Sequence, residues 1–199
     1  MESSGESRRG RRALRVGALV VLALAAAVGV WLYVRDRDQS EGTQSRTTPT
    51  VARSSVERVS QQALVKLSRL TGRPIYWAGA QRTMKLELTQ APSGRVYIRY
   101  LPLNVEIGDR RGRYLIVGTY PVTNAFNAIQ KAIREPGAHR LRLRGGLLGV
   151  YNDSAPTNVY FAAPRSNYQI EVYDPNPRRA LALVRSGSIR PIRLRTATG

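Results

Sequence analysis

The spacing of apolar and polar positions changes character three times along this chain. Residues 16–34, VGALVVLALAAAVGVWLYV, form an unbroken run of 19 residues without a charge. As a helix, a run of that length spans roughly 28 Å, close to the thickness of a bilayer core. It is apolar on every side, which suits lipid rather than the one-faced burial of a soluble helix. Residues 35–53 are polar and aperiodic, and read as a flexible tether. From residue 54 onward, short periodic segments alternate with turn residues, as in a folded domain.

In that last region the spacing predicts three helices. Ser54 and Glu57 fit a capping box, and Val56, Val59, Ala63, Leu64, Leu67 and Leu70 repeat at helical intervals until Gly72 and Pro74 stop them. A second helix is expected from Thr123 as N-cap, with Ala125, Phe126, Ile129, Ala132 and Ile133 on one face and Pro136–Gly137 as the stop. A third is expected from Asp174 as N-cap with Pro175 at its first position. It carries Ala180, Leu181 and Val184 inward, and Gly187 follows its end.

Between the helices lie strand signals at residues 75–77, 86–89, 95–101, 114–120, 140–144, 147–151, 159–162 and 168–173. Residues 188–195 are a further edge-strand candidate. Tyr and Pro recur in a matching order. Val96–Tyr97 leads to Pro102 as Val159–Tyr160 leads to Pro164, and Tyr120–Pro121 precedes one helix as Tyr173–Asp174–Pro175 precedes another. The expected fold is therefore α+β: an antiparallel sheet with about three helices, built from two repeats of strands followed by a helix. Chance recurrence in a tyrosine-rich strand protein is the competing reading.

Charge orients the apolar run. Five arginines precede it, at positions 8, 9, 11, 12 and 15, whereas Arg35 and Arg37 alternate with Asp36 and Asp38 after it. The positive-inside rule then keeps residues 1–15 in the cytoplasm, spans with residues 16–34, and places a domain of residues 54–199 outside on its tether. Trp31 and Tyr33 sit at the outer end, where amphipathic aromatics anchor at the interface. The run is longer than the apolar core of a cleaved signal peptide, and bulky Trp31–Leu32–Tyr33 follows its alanines, so an uncleaved signal anchor is expected.

Composition removes several chemistries. There is no Cys and one His, which excludes disulfides, thiolate nucleophiles, cysteine–zinc sites and two-histidine metal motifs. No metal or cofactor is expected, and neither a phosphate-binding glycine loop nor a Gly-x-Ser-x-Gly turn is present. His139, placed in a loop beside Arg140, reads as a surface histidine. The chain supplies no recognisable catalytic set, and a binding or scaffold role is favoured over an enzyme.

The net charge of +19 favours anionic partners. Arg140, Arg142 and Arg144 alternate with Leu141 and Leu143, so as a strand they would share one face. Arg178, Arg179 and Arg185 line the outside of the third helix. These six are the candidate contacts to an anionic ligand, with a solvated arginine face as the plainer alternative. Tyr76, Trp77 and Tyr100 are candidate aromatic contacts to a sugar ring or a protein partner. The plainer expectation for strand tyrosines is half-burial with a wet hydroxyl.

The strings YWAG, RVYIRYLP, LIVGTYP and YQIEVYDPNPRRALALVRSGSIRPI resemble an uncharacterised family of single-pass, membrane-anchored proteins of actinobacterial type, over residues 72–192. The resemblance implies a location in the cell envelope and no mechanism. The order of strands and helices is also loosely similar to GerMN-type envelope domains, an analogy without a motif behind it.

The sequence thus predicts a membrane-anchored, extracytoplasmic binding or scaffold domain. Its expected partners are the membrane itself and an anionic envelope polymer, lipid headgroup or envelope protein. The alternative is a cell-envelope hydrolase with a carboxylate pair, for which Glu87, Glu171 or Asp153 would have to converge in a concave pocket. Glu87 and Glu171 are otherwise expected on a solvated strand face. Nucleic acid fits the charge but not a domain outside the membrane.

Overall fold

The computed structural model describes residues 55–193. The apolar run, the tether and the tail beyond Arg193 lie outside the described residues. Among the described residues no helix is long and apolar enough to cross a membrane.

Residues 55–59 contradict the expected first helix. They form strand β1 (Ser55–Val59), and helix α1 (Gln61–Thr71) starts only after Ser60, whose side chain accepts the Ala63 N–H. Val56 and Val59 satisfy a helical period. They are nevertheless drawn into a ladder by β3 (Met84–Gln90), where Val56 pairs with Thr89 and Val59 with Leu86. Gly72, in the left-handed conformation at φ 62°, closes α1 where expected.

The remaining elements are β2 (Tyr76–Trp77), β4 (Val96–Pro102), β5 (Ile116–Pro121), α2 (Ala125–Ala132), β6 (Ala138–Arg142), a 3₁₀ turn (Arg144–Gly146), β7 (Leu148–Asn152), β8 (Ala155–Ala162), β9 (Tyr168–Tyr173), α3 (Pro177–Arg185) and β10 (Arg190–Pro191). Both later helices start one or more residues beyond the expected caps. α2 follows Asn124 at φ 53°, where the Asn167 side-chain oxygen receives the Asn124 N–H at 3.0 Å. At α3 the cap moves along the chain: Asp174 accepts the Asn176 N–H, Asn176 accepts the Arg178 N–H, and Pro177 rather than Pro175 opens the helix.

Eight strands form one antiparallel sheet in the order β1-β3-β4-β5-β9-β8-β7-β6, and β2 pairs with β10 in a separate ribbon. The protein's described part is thus an α+β domain with three helices. β3–β4–β5 and β7–β8–β9 are each meanders of neighbouring strands followed by a helix, and they meet where β5 pairs with β9.

Strand alternation divides the side chains between two faces. On the first face, Leu86, Leu88, Ile98, Val117, Ile170, Val172 and Phe161 pack with Leu64 and Val65 of α1, Ala180 and Val184 of α3, and the β2–β10 ribbon. α2 packs on β7 and β8 with Ala125, Ile129 and Ala132, outside that cluster and on the second face. Helices therefore cover both faces.

The second face carries the buried polar groups: Glu87 at 0% exposure, Arg99 at 1% and Glu171 at 3%. This corrects the expectation that Glu87 and Glu171 point into solvent. Each alternates with apolar neighbours, but both faces of the sheet are covered.

Candidate functional site

Two polar constellations occupy the second face. In the first, Glu87 on β3 and Arg99 on β4 are direct cross-strand partners. Arg99 Nη1 donates to Glu87 Oε1 at 2.6 Å, and Arg99 Nη2 donates to the Asp109 carbonyl at 2.6 Å. The Gly108 N–H donates to Glu87 Oε2 at 2.5 Å. Tyr114 lays its ring 5.4 Å from the Arg99 guanidinium. One buried ion pair thereby straps the glycine-flanked loop of residues 103–113 onto the sheet. In that loop Arg111 forks onto Asp109 and, with Tyr114, holds its carboxyl far below the ordinary range.

In the second constellation the Glu171 carboxyl takes three donors: the Tyr120 hydroxyl, the Tyr160 hydroxyl at 2.9 Å and Asn158 Nδ2 at 2.6 Å. Burial pushes the pKa of Glu171 up against the pull of these donors. Burial also raises Tyr120 and Tyr160, and the Glu171 charge adds to both shifts. Tyr97 meets Tyr120 edge-on at 5.5 Å, and Arg95 stands over the Tyr120 ring at 5.8 Å. Glu171 and its two tyrosine partners are buried, so the cluster joins β5, β8 and β9 instead of facing a ligand.

These two carboxylates do not converge. Two strands, β4 and β5, separate β3 from β9, which puts Glu87 and Glu171 about 14 Å or more apart at ordinary strand spacing. Acid pairs that cleave glycosides stand roughly 5–10 Å apart. Asp153 is elsewhere, exposed, with its Oδ1 2.7 Å from His139 Nε2. His139 itself lies on β6 rather than in a loop and stacks on Tyr151 at 4.6 Å. Among the described residues no group of three or more metal-binding side chains comes together.

The exterior has a different character. Among the described residues, 19 of 22 Lys and Arg are exposed, but only Glu57, Glu106 and Asp153 of the eight Asp and Glu. Acidic groups have been taken inside or paired. Glu87 and Glu171 are buried as described, and buried Asp174 faces Arg179 at 3.4 Å. What remains outside is close to single-signed.

The six candidate arginines all face solvent, but as two separate sets. Arg140 and Arg142 project from β6 on either side of buried Leu141. Leu141 shares a core cluster with Ala180 and Val184, so these two arginines point away from α3. Arg144 does not share their strand face, because the chain turns there into the 3₁₀ segment with Gly145 at φ 69°. Arg178, Arg179 and Arg185 lie on α3, across the sheet. The aromatic candidates are largely inside. Trp77 is 4% and Tyr100 2% exposed, and the Tyr100 hydroxyl accepts the Ala78 N–H at 2.7 Å. Tyr76 is half-buried against Phe161. Trp77 and Tyr100 are therefore core residues, because the β2–β10 ribbon and α1 cover that end of the sheet.

Two open cavities were missing from the sequence reading. One of about 570 Å³ lies between β1, α1 and β3, and carries Arg58 and Lys85. Another of about 910 Å³ lies beside the β2–β10 ribbon, and carries Arg190 and Arg193. Gln61 and Ala80 line both. These residues come from four distant stretches of chain, so no local motif could have signalled them. The Glu87–Arg99 pair did leave a signal, since each stands six residues from Ser93, the centre of the turn closed by Ala91 and Arg95.

Comparison with protein-family models, with curated proteins and with solved structures finds no match to this chain.

Proposed function

We propose that this protein is a membrane-anchored, extracytoplasmic binding domain whose basic exterior engages an anionic component of the cell envelope. The observation that carries the reading is the sorting of charge: among the described residues nearly all cations are exposed, and most carboxylates are buried or paired. Such a surface draws in polyanions over nanometres and is screened by salt. The uncharged run of residues 16–34 behind five arginines supports the anchor and the outward direction. The separation of Glu87 from Glu171 favours binding over the hydrolase alternative.

The finer architecture fits a duplicated meander. The cross-strand pair Tyr97–Gly118 recurs as Tyr160–Glu171, Val96–Thr119 as Val159–Val172, and Ile98–Val117 as Phe161–Ile170. The helices do not follow this symmetry, since α2 and α3 both pack on the second meander. In this reading the second meander acquired Glu171 at the position of a glycine.

The test uses the absence of cysteine. A single Ser154→Cys variant, at an exposed turn, is treated in intact cells with a membrane-impermeant maleimide. Labelling without cell lysis supports the reading. Labelling only after lysis overturns it, and nucleic acid then becomes the partner to examine.

A further inference from the structure

We infer that the two joined cavities form one binding groove for a linear polyanion, a chain with phosphate groups repeated along its length. The inference rests on the proposed function and names where on the basic exterior the ligand is held.

The lining is selective in charge. Each cavity carries two cations, Arg58 with Lys85 in one and Arg190 with Arg193 in the other, and none of the described lining residues is acidic. Lys85 directs its ammonium to the Leu103 carbonyl at 3.2 Å, which fixes its position and leaves further N–H donors for a ligand. The neck between the pairs, at Gln61 and Ala80, is uncharged. The pattern is cation pair, neutral neck, cation pair. A ligand with one anionic head would satisfy one end only. A chain with repeated phosphates satisfies both and passes the neck between them.

Position supports this use. The groove runs from the ends of β1 and β3, past the start of α1 with its Ser60 cap, to the β2–β10 ribbon. Arg190 is held in register opposite Trp77, and the Ile192 N–H donates to the Ile75 carbonyl at 2.8 Å. The cations on the ribbon side therefore stand on backbone that is already ordered, which reduces the entropy lost on binding.

The experiment measures binding of long-chain inorganic polyphosphate to the full-length protein in phosphatidylcholine nanodiscs. A groove variant (Arg58→Gln, Lys85→Gln, Arg190→Gln, Arg193→Gln) is compared with a control of equal charge change (Lys66→Gln, Arg69→Gln, Lys131→Gln, Arg134→Gln). Circular dichroism confirms that both fold. The groove variant should lose about tenfold or more in affinity, and the control far less. Pyrophosphate, with two phosphates in place of a long repeat, should bind more weakly than the polymer to every form. Equal losses in the two variants would overturn the groove and leave the general basic-surface reading in place. If the unaltered protein binds neither polyphosphate nor phosphatidylglycerol vesicles at any salt concentration, both fail. Groove-dependent capture of phosphatidylglycerol vesicles without polyphosphate binding would replace the polymer with a lipid headgroup.

Discussion

Gly118 on β5 stands directly opposite Glu171 on β9, and the missing side chain at Gly118 is what lets Tyr120 reach the carboxyl. A Cβ at position 118 would lie 2.6 Å from the Tyr120 hydroxyl. The glycine is required for close approach of a ring, not for an unusual backbone angle. Gly118→Ala should therefore displace Tyr120, remove one donor from a buried carboxyl and cost about 2–4 kcal/mol in urea unfolding. In a Tyr120→Ala background the same substitution should cost clearly less, because the clashing ring, with its hydroxyl at 2.6 Å and its Cζ at 2.8 Å, is gone. Strict additivity of the two changes would contradict this coupling.

Glu171 also sets a pH dependence. Burial raises its folded pKa above the unfolded value, so its contribution to stability is fully present below the ordinary carboxylate range and is lost as pH rises through the raised value. Arg95 and the tyrosines at 97, 120 and 160 surround it, and each tyrosine is shifted upward. Urea midpoints between about pH 4 and 8 should fall with pH in the unaltered protein, more steeply than in Glu171→Gln. Asp109 acts in the opposite sense. Its lowered pKa gives stability that is lost only as pH falls below the ordinary carboxylate value, outside this window. Identical pH profiles for the two proteins would contradict the assignment.

The Glu87–Arg99 pair holds a loop as well as two strands. Glu87→Gln leaves Arg99 buried without its counter-charge and should cost about 3–5 kcal/mol. Replacing both with leucine should be far milder for stability, yet still release the Gly108 N–H from its carboxylate acceptor. Hydrogen exchange at Gly108 should accelerate in the double variant while the amides of β3 and β4 stay protected. Unchanged exchange at Gly108 would show that the loop is held by other contacts.

The class of fold was legible in the spacing of residues, and its boundaries were less so. Strand β9 coincides with its expected range, and Gly72 and Gly187 mark helix ends as read, because left-handed backbone strongly selects glycine. Val56 and Val59 misled because their spacing of three fits a helical period, and the segment is too short to show strand alternation. Partners distant in sequence decided for the strand. Asp174 and Thr123 were plausible caps, displaced by Asn176 and Asn124 a residue or two further on. Exposure of the candidate arginines followed from their charge, but their division between two sides of the sheet depended on helix packing that no local pattern encodes. Alternation set Glu87 and Glu171 apart from their apolar neighbours, but the expected solvated face is buried. It could not show that a loop and a folded-over tyrosine would cover that face.

The central claim is that a nearly single-signed exterior binds a polyanion by charge. Its most direct test is the affinity of the full-length protein for long-chain polyphosphate across a salt series. The account predicts binding at low salt that weakens progressively as salt rises, because screening shortens the reach of the exposed arginines. Binding that is absent at low salt, or unchanged at high salt, would contradict it.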